Sequence, residues 1–233
     1  MKVEIFSDVV CPWCAIGKAR FEAALARFEH AAEVEVRFRS FELDPNAPRS
    51  SGVDSATHLA NKYGMSREQA VASQQRLAEV AAEEGLEFHF DQTRRGNTFD
   101  AHRLLHLAGE VGVQGALKER LMRAYFADGE PIGERATLVR LGAEVGLSAE
   151  KSDEMLSGER YCAEVRADEQ AARDLGINGV PFFVLDGRYG VSGAQSPETF
   201  LAALETAWRE GAAEVESAGE VCGAQSCEVP PAP

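Results

Sequence analysis

Apolar and polar positions switch between two periods along this chain, and the switches mark its elements. Val3 to Phe6 is a short apolar run ending at Ser7-Asp8, the pattern of a buried strand. A helix is predicted directly after it. On a wheel of about 100° per residue centred on Cys14, Phe21, Leu25 and Phe28 lie within about 40° of the reference, whereas Lys18, Arg20, Glu22 and Arg27 mostly lie off that stripe. Cys14 is therefore expected to face the core. Cys11, with Pro12 in the favoured first-turn position, is expected at the exposed rim. Val34, Val36, Phe38 and Ser40 then alternate with Glu35, Arg37 and Arg39, a period-two strand ending near residues 41–45.

Pro, Ser and Gly from Pro45 to Gly52 mark a loop, after which the pattern is helical for roughly a hundred residues. Ser66-Arg67-Glu68-Gln69 is a capping-box start for a helix that stops by Gly85. Asn97 or Thr98 opens another, whose apolar side includes Leu104, Leu105, Leu107, Ala108 and Val111. Leu117, Leu121, Met122, Tyr125 and Phe126 mark a third, Leu138 to Val145 a short one, and Tyr161 to Leu175 a long one. These Met and aromatic stripes read as core packing. The strand pattern returns at Val180 to Leu185, Asp186-Gly187 signals a hairpin, and Tyr189 to Ser192 supplies its second arm. Ser196-Pro197-Glu198 starts a helix that continues through Leu201, Leu204 and Trp208. From Gly211 onward Ala, Glu, Ser, Gly and Pro dominate, the composition of a flexible tail.

The class is α/β: a mixed sheet of about four strands, the first two parallel through a crossover helix and the last two an antiparallel hairpin. Residues 1–48 and 160–210 form the sheet domain, 49–159 an all-helical insertion, and 211–233 the tail. Both the length of 233 residues and the 45% hydrophobic content fit one soluble domain with a sizeable insertion. A formal charge of −14 repels phosphate backbones, so nucleic acid is not an expected partner. No run approaches the ~20 apolar residues of a membrane span, and no signal-type core precedes the first cysteines. The expected location is cytoplasmic. Closely spaced cysteines are there more often catalytic or metal-binding than structural staples.

Two of the five cysteines frame Pro12 and Trp13. A thiol at the first turn of a helix meets unpaired N–H groups and the positive end of the helix dipole, which favour thiolate. An exposed thiolate forms a mixed disulfide with a substrate, and a thiol one turn later resolves it. This spacing assigns Cys11 as nucleophile and Cys14 as resolving thiol. The dithiol is itself the two-electron carrier, so no metal or organic cofactor is required. Asp8 and Glu4 flank the pair and read as solvated or locally bonded carboxylates; Cys162 reads as a small core hydrophobe.

The strand ending at Cys11-Pro12-Trp13-Cys14, the distant Gly179-Val180-Pro181 and the helical insertion between them together resemble the thioredoxin fold in its DsbA branch. Cys-Pro-Trp-Cys-Ala-Ile-Gly-Lys, the stretch Asn97 to Leu104 and the terminal Cys-x4-Cys resemble the FrnE-like proteins within it. The resemblance implies a cis Val180–Pro181 bond facing the dithiol and offering the backbone of Val180 to a substrate peptide. It also implies Asn97, Thr98 and His102 near the catalytic groove, although Asn97 and Thr98 serve equally as a helix cap. The implied activity is thiol-disulfide exchange on disulfide-containing or misoxidised proteins or peptides, with a thioredoxin or glutathione-type reductant; a cytosolic setting favours reduction or isomerisation, under oxidative stress, over net oxidation, and the redox potential decides the direction. A flexible linker of about thirteen residues reaches ~20 Å, enough for Cys222 and Cys227 to exchange electrons with Cys11. Two other readings compete: a glutathione-dependent isomerase or transferase on the same scaffold, and a four-thiolate zinc site built from both cysteine pairs.

Overall fold

Strand β1 (Lys2–Ser7) occupies the middle of a four-stranded sheet of order β2-β1-β3-β4 in the computed structural model, which describes the backbone of residues 1–223 and the side chains of 1–211. Val3, Ile5 and Phe6 are all buried because helices cover both faces of the sheet. Helix α1 (Pro12–Leu25) crosses over to β2 (Glu35–Ser40), which runs parallel to β1 with Val3 beside Val36 and Ile5 beside Phe38. On the other edge, β3 (Phe182–Leu185) is antiparallel to β1 and leads into β4 (Tyr189–Ser192). The turn between them is closed by Arg188 N–H donating to Leu185 O at 3.0 Å. Its central residues, Asp186 and Gly187, have φ of 48° and 69°. Both positions need the left-handed region, which is why the pair Asp-Gly signals this turn. Asp186 is held there by accepting the Lys2 N–H at 2.6 Å.

One face of the sheet is covered by α1 and α9 (Pro197–Gly223), where the rings of Phe21, Phe183 and Phe200 meet at centroid distances of 4.5 to 5.7 Å. Burying each ring contributes about 2–3 kcal/mol. On the other face α8 (Cys162–Asp174) brings Ala172 to Phe6 and Val184. The insertion consists of α2 (Ser55–Tyr63), α3 (Arg67–Glu83), α4 (Phe99–Glu110), α5 (Gln114–Phe126), α6 (Arg135–Glu144) and α7 (Ala149–Ser157). The capping box of α3 forms: Ser66 Oγ accepts the Gln69 N–H, and Gln69 Oε1 accepts that of Ser66. α2 and α7 are nine residues each, and α2 buries only Ala56 and Ala60. A second apolar core, built on Leu104, Leu117, Leu121, Phe126 and Leu138, extends to Val9, Cys11 and Cys14. The dithiol thus lies at the seam between sheet and insertion.

Two expectations are corrected at this level. The composition from Gly211 suggests a flexible tail, but α9 continues through Gly223, so residues 211–223 are helical and Cys222 falls in the last turn. Its Ala and Glu content favours helix once a nucleus exists. The reach calculated for a flexible linker does not apply to that segment, and Cys227 lies outside the described residues. Cys162, expected in the core, is only half-buried, because it begins α8 one residue after Tyr161, which takes the apolar place instead.

α4 closes the seam with two histidines one turn apart. His102 Nε2 lies 3.2 Å from Asp8 Oδ1, beyond the end of β1. His106 Nε2 lies 3.3 Å from Asp168 Oδ2 of α8, and the same oxygen accepts the Ser40 N–H at 2.8 Å. Burial pushes the Asp168 carboxyl up, but His106, the Ser40 N–H and Arg39 outweigh it and hold the group below the ordinary carboxylate value. A depressed folded value contributes stability that is complete above the unfolded pKa of about 3.9 and is lost as pH falls through the folded one. Urea unfolding of Asp168→Asn should show a deficit of about 2 kcal/mol at neutral pH. The deficit should close as wild type also protonates in acid; one that persists unchanged at low pH would contradict the charge-based account.

Candidate active site

β1 ends at Ser7, and four residues later the chain enters α1 with Cys11 as its N-terminal cap at φ −89°, ψ 113°. Pro12 suits the first helical position, where its missing N–H has no intrahelical acceptor. The Cys11 carbonyl accepts the N–H groups of Cys14 at 3.0 Å and Ala15 at 3.3 Å, which sets both cysteines on the first turn. Asp8 fixes the loop from below. Its Oδ1 accepts the Val9 N–H at 2.7 Å and its Oδ2 that of Leu43 at 2.8 Å, while His102 holds the remaining side of Oδ1. Burial raises the Asp8 carboxyl, but these donors, with the charges of His102 and Lys118, outweigh it and hold it below the ordinary value.

The two sulfurs are not equivalent. Burial pushes the Cys14 thiol well above the ordinary value, and the hydrogen bond and charge of Cys11 push it further; Lys118 pulls in the opposite direction. Cys14 is therefore the proton-bearing partner of the pair. Cys11 Sγ lies 3.5 Å from the Val180 carbonyl, immediately before the cis Val180–Pro181 bond. The backbone N–H of Val180 has no partner among the described residues. Trp13, at 45% exposure, and half-buried Val10 and Val180 surround the pair.

Cys11 is not at an exposed rim: it retains only 4% of its surface. Its place at the very start of α1 suggests exposure, but it joins the apolar core with Cys14, and the Val180 carbonyl lies against its sulfur. Lys18 lies at the edge of the α1 stripe, about 40° from Cys14 on the wheel, and is 7% exposed; Glu22 and Glu119 hold its ammonium across the α1–α5 contact at 2.8 and 3.1 Å.

Of the other candidates, only His102 reaches the dithiol loop, through Asp8. Asn97 Oδ1 accepts the Phe99 N–H at 2.9 Å and so caps α4, and its amide faces Glu42 and Pro45 O, each at 3.4 Å. Thr98 is buried at the cap position without a side-chain capping bond. Glu4 pairs with Lys2 and Arg39 on the sheet, away from the sulfurs. Asp8 is locally bonded, not solvated. Among the described residues no cluster of His, Cys, Asp and Glu is arranged to hold a metal ion.

Two participants were not identified as site residues from sequence. Lys118 is completely buried, with Nζ donating to Ser7 O at 3.1 Å. Its signal is a lysine set three, four and seven residues before Leu121, Met122 and Tyr125, on their own stripe. Gly17 is the second. A Cβ there would meet Pro181 Cγ at 2.9 Å and Ala194 at 3.4 Å, so its missing side chain lets α1 approach the cis-proline segment.

The model of the DSBA-like thioredoxin domain matches residues 2–205. A probable DsbA oxidoreductase from Streptomyces coelicolor superposes with a TM-score of 0.86 at 50% identity, over 90% of this chain and 91% of that one. The uncharacterized protein YwbO of Bacillus subtilis is 28% identical over 87% of this chain and 94% of its own length. The cytosolic disulfide reductase DsbM from Pseudomonas aeruginosa shares the fold at a TM-score of 0.63 and 22% identity, over 90% of this chain and 99% of that one. With its sheet order, its helical insertion and a match that spans most of its length, the chain belongs to the DSBA-like thioredoxin domain family.

Proposed function

We propose that this protein is a thiol-disulfide oxidoreductase in which Cys11 attacks a substrate disulfide and Cys14 resolves the mixed disulfide. The observation that carries the reading is the inequality of the two thiols: Cys14 sits beneath Cys11 and keeps its proton, while Cys11 faces the Val180 carbonyl. A pair in which one thiol is held protonated and the other lies against the cis-proline segment suits a two-step exchange. Because Cys11 has little surface, the incoming sulfur takes the place now held by the Val180 carbonyl. The substrate backbone pairs at Val180 in the manner of an added strand, and Trp13 forms one wall.

The net direction is reduction or isomerisation of aberrant disulfides in a reducing, cytoplasmic setting, with a thioredoxin or glutathione-type reductant. Substrates are disulfide-bearing or misoxidised proteins and peptides. Equilibration in glutathione redox buffers tests the direction. A potential at or below about −180 mV fits a reductase or isomerase, and one near −120 mV would make the protein an oxidant.

Cys14→Ser should accumulate a one-to-one mixed disulfide with a disulfide-bonded peptide, seen as an intact-mass increase that dithiothreitol removes. Cys11→Ser should form none and should reduce disulfide-exchange turnover to background. A covalent adduct on the Cys11→Ser protein at Cys14 would invert the assigned roles.

The terminal Cys-x4-Cys is assigned as a second dithiol in the same relay on its sequence spacing alone, since the flexible-linker reach does not hold for helical residues 211–223. Cys222→Ser combined with Cys227→Ser should slow steady-state turnover several-fold while leaving single-turnover exchange at Cys11 intact. Unchanged steady-state turnover would remove the tail from the mechanism.

A further inference from the structure

An ammonium group taken wholly out of water is costly unless an anion compensates it. Lys118, on α5 of the insertion, is such a group: it has no exposure, and its Nζ donates to the Ser7 carbonyl and forms no ion pair with a carboxylate among the described residues. Its Nζ bonds the carbonyl of Ser7, the residue before Asp8, and the charges that act on it are those of Asp8 in the loop after β1 and of Cys11, Cys14 and Lys18 on α1, with His102 of α4 bonded to Asp8. β2 presents the Phe38 ring, 5.8 Å from Nζ. Burial lowers the Lys118 pKa to about 8; Cys14, Asp8 and Cys11 favour its charge, in that order, and Lys18 opposes it while being neutralised by Glu22 and Glu119. Asp8 already takes three partners. The remaining anions within the field of Nζ are the sulfurs, which carry charge only after reduction.

We propose that Lys118 is a positioning residue of the dithiol: its buried ammonium, brought in by the helical insertion, holds the negative charge left on the Cys11–Cys14 pair when their disulfide is opened. This rests on the dithiol reading above. In the step concerned, a thiolate RS⁻ attacks Cys11 Sγ, the Cys11–Cys14 bond breaks, and its electron pair leaves on Cys14 Sγ. A second RS⁻ attacks the bound R sulfur, releasing RSSR and leaving an electron pair on Cys11. The protein has gained two electrons from two RSH; one of their protons stays on the sulfur pair and the other goes to water. In this form the pair carries one negative charge, which acts on the Lys118 ammonium. A protonated Lys118 stabilises the reduced form, so its removal should favour the disulfide.

Lys118→Met keeps the apolar stem and removes the charge. Wild type and variant are equilibrated in glutathione redox buffers at about pH 7 and about pH 10, and the thiol fraction is read by alkylation and mass spectrometry. At the lower pH the equilibrium constant for reduction should fall at least fivefold in the variant, about 20 mV for a two-electron couple. At the higher pH, where Lys118 has lost its proton, the difference should vanish. A smaller fall, or the same fall at both pH values, overturns the proposal, since a purely structural contribution would not depend on the Lys118 proton. Should the variant not fold, wild type with isotope-labelled lysines decides. The Lys118 resonance should titrate at a higher pH in the reduced than in the oxidised protein, and equal midpoints overturn the proposal. A wild-type protein that forms no Cys11–Cys14 disulfide in any of these buffers would instead refute the dithiol reading.

Discussion

A carboxylate with 1% exposure must find every hydrogen bond inside the protein, and the way Asp8 does so organises the molecule. It binds its own loop at Val9, the segment after β2 at Leu43, and the insertion at His102. Three stretches distant in sequence are thereby brought to one point, directly under the residues that start α1. Without that anchor the loop between β1 and Cys11 would have neither a fixed path nor a fixed distance from α4.

The same seam explains why the charges around the cysteines come in a particular order. Asp8 is bonded and held ionised, Cys14 is buried and held protonated, and Lys118 is buried with its ammonium on the Ser7 carbonyl. These groups come from the sheet domain, the first helix and the insertion, so the electrostatics of the pair belong to no single domain. The insertion is accordingly part of the site, and its apolar core reaches Cys11 and Cys14 without interruption.

Much of this was legible in the chain. The periods of Val3–Phe6, of Val34–Ser40 and of the hairpin around Asp186-Gly187 fix the four strands, and the box at Ser66 and Gln69 fixes the start of α3. What escaped the sequence depends on contacts between remote segments. Cys11 looks exposed from its place at the start of α1 because that view contains no Val180. The continuation of α9 past Gly211 was missed for a different reason, since Ala and Glu are common both to helices and to tails. Lys118 had a visible signal, a cation on an apolar stripe, and its meaning emerged only when the stripe was seen to face the dithiol loop.

Gly17 sets a tolerance in this arrangement that is easily overlooked. With Pro181 Cγ only 2.9 Å from where its Cβ would be, the gap between the dithiol helix and the cis-proline segment is closed by a missing atom. Any larger residue would act as a wedge between α1 and the cis-proline segment, one turn beyond Cys14. Position 17 is thus a spacer whose size gauges how far the two walls stand apart.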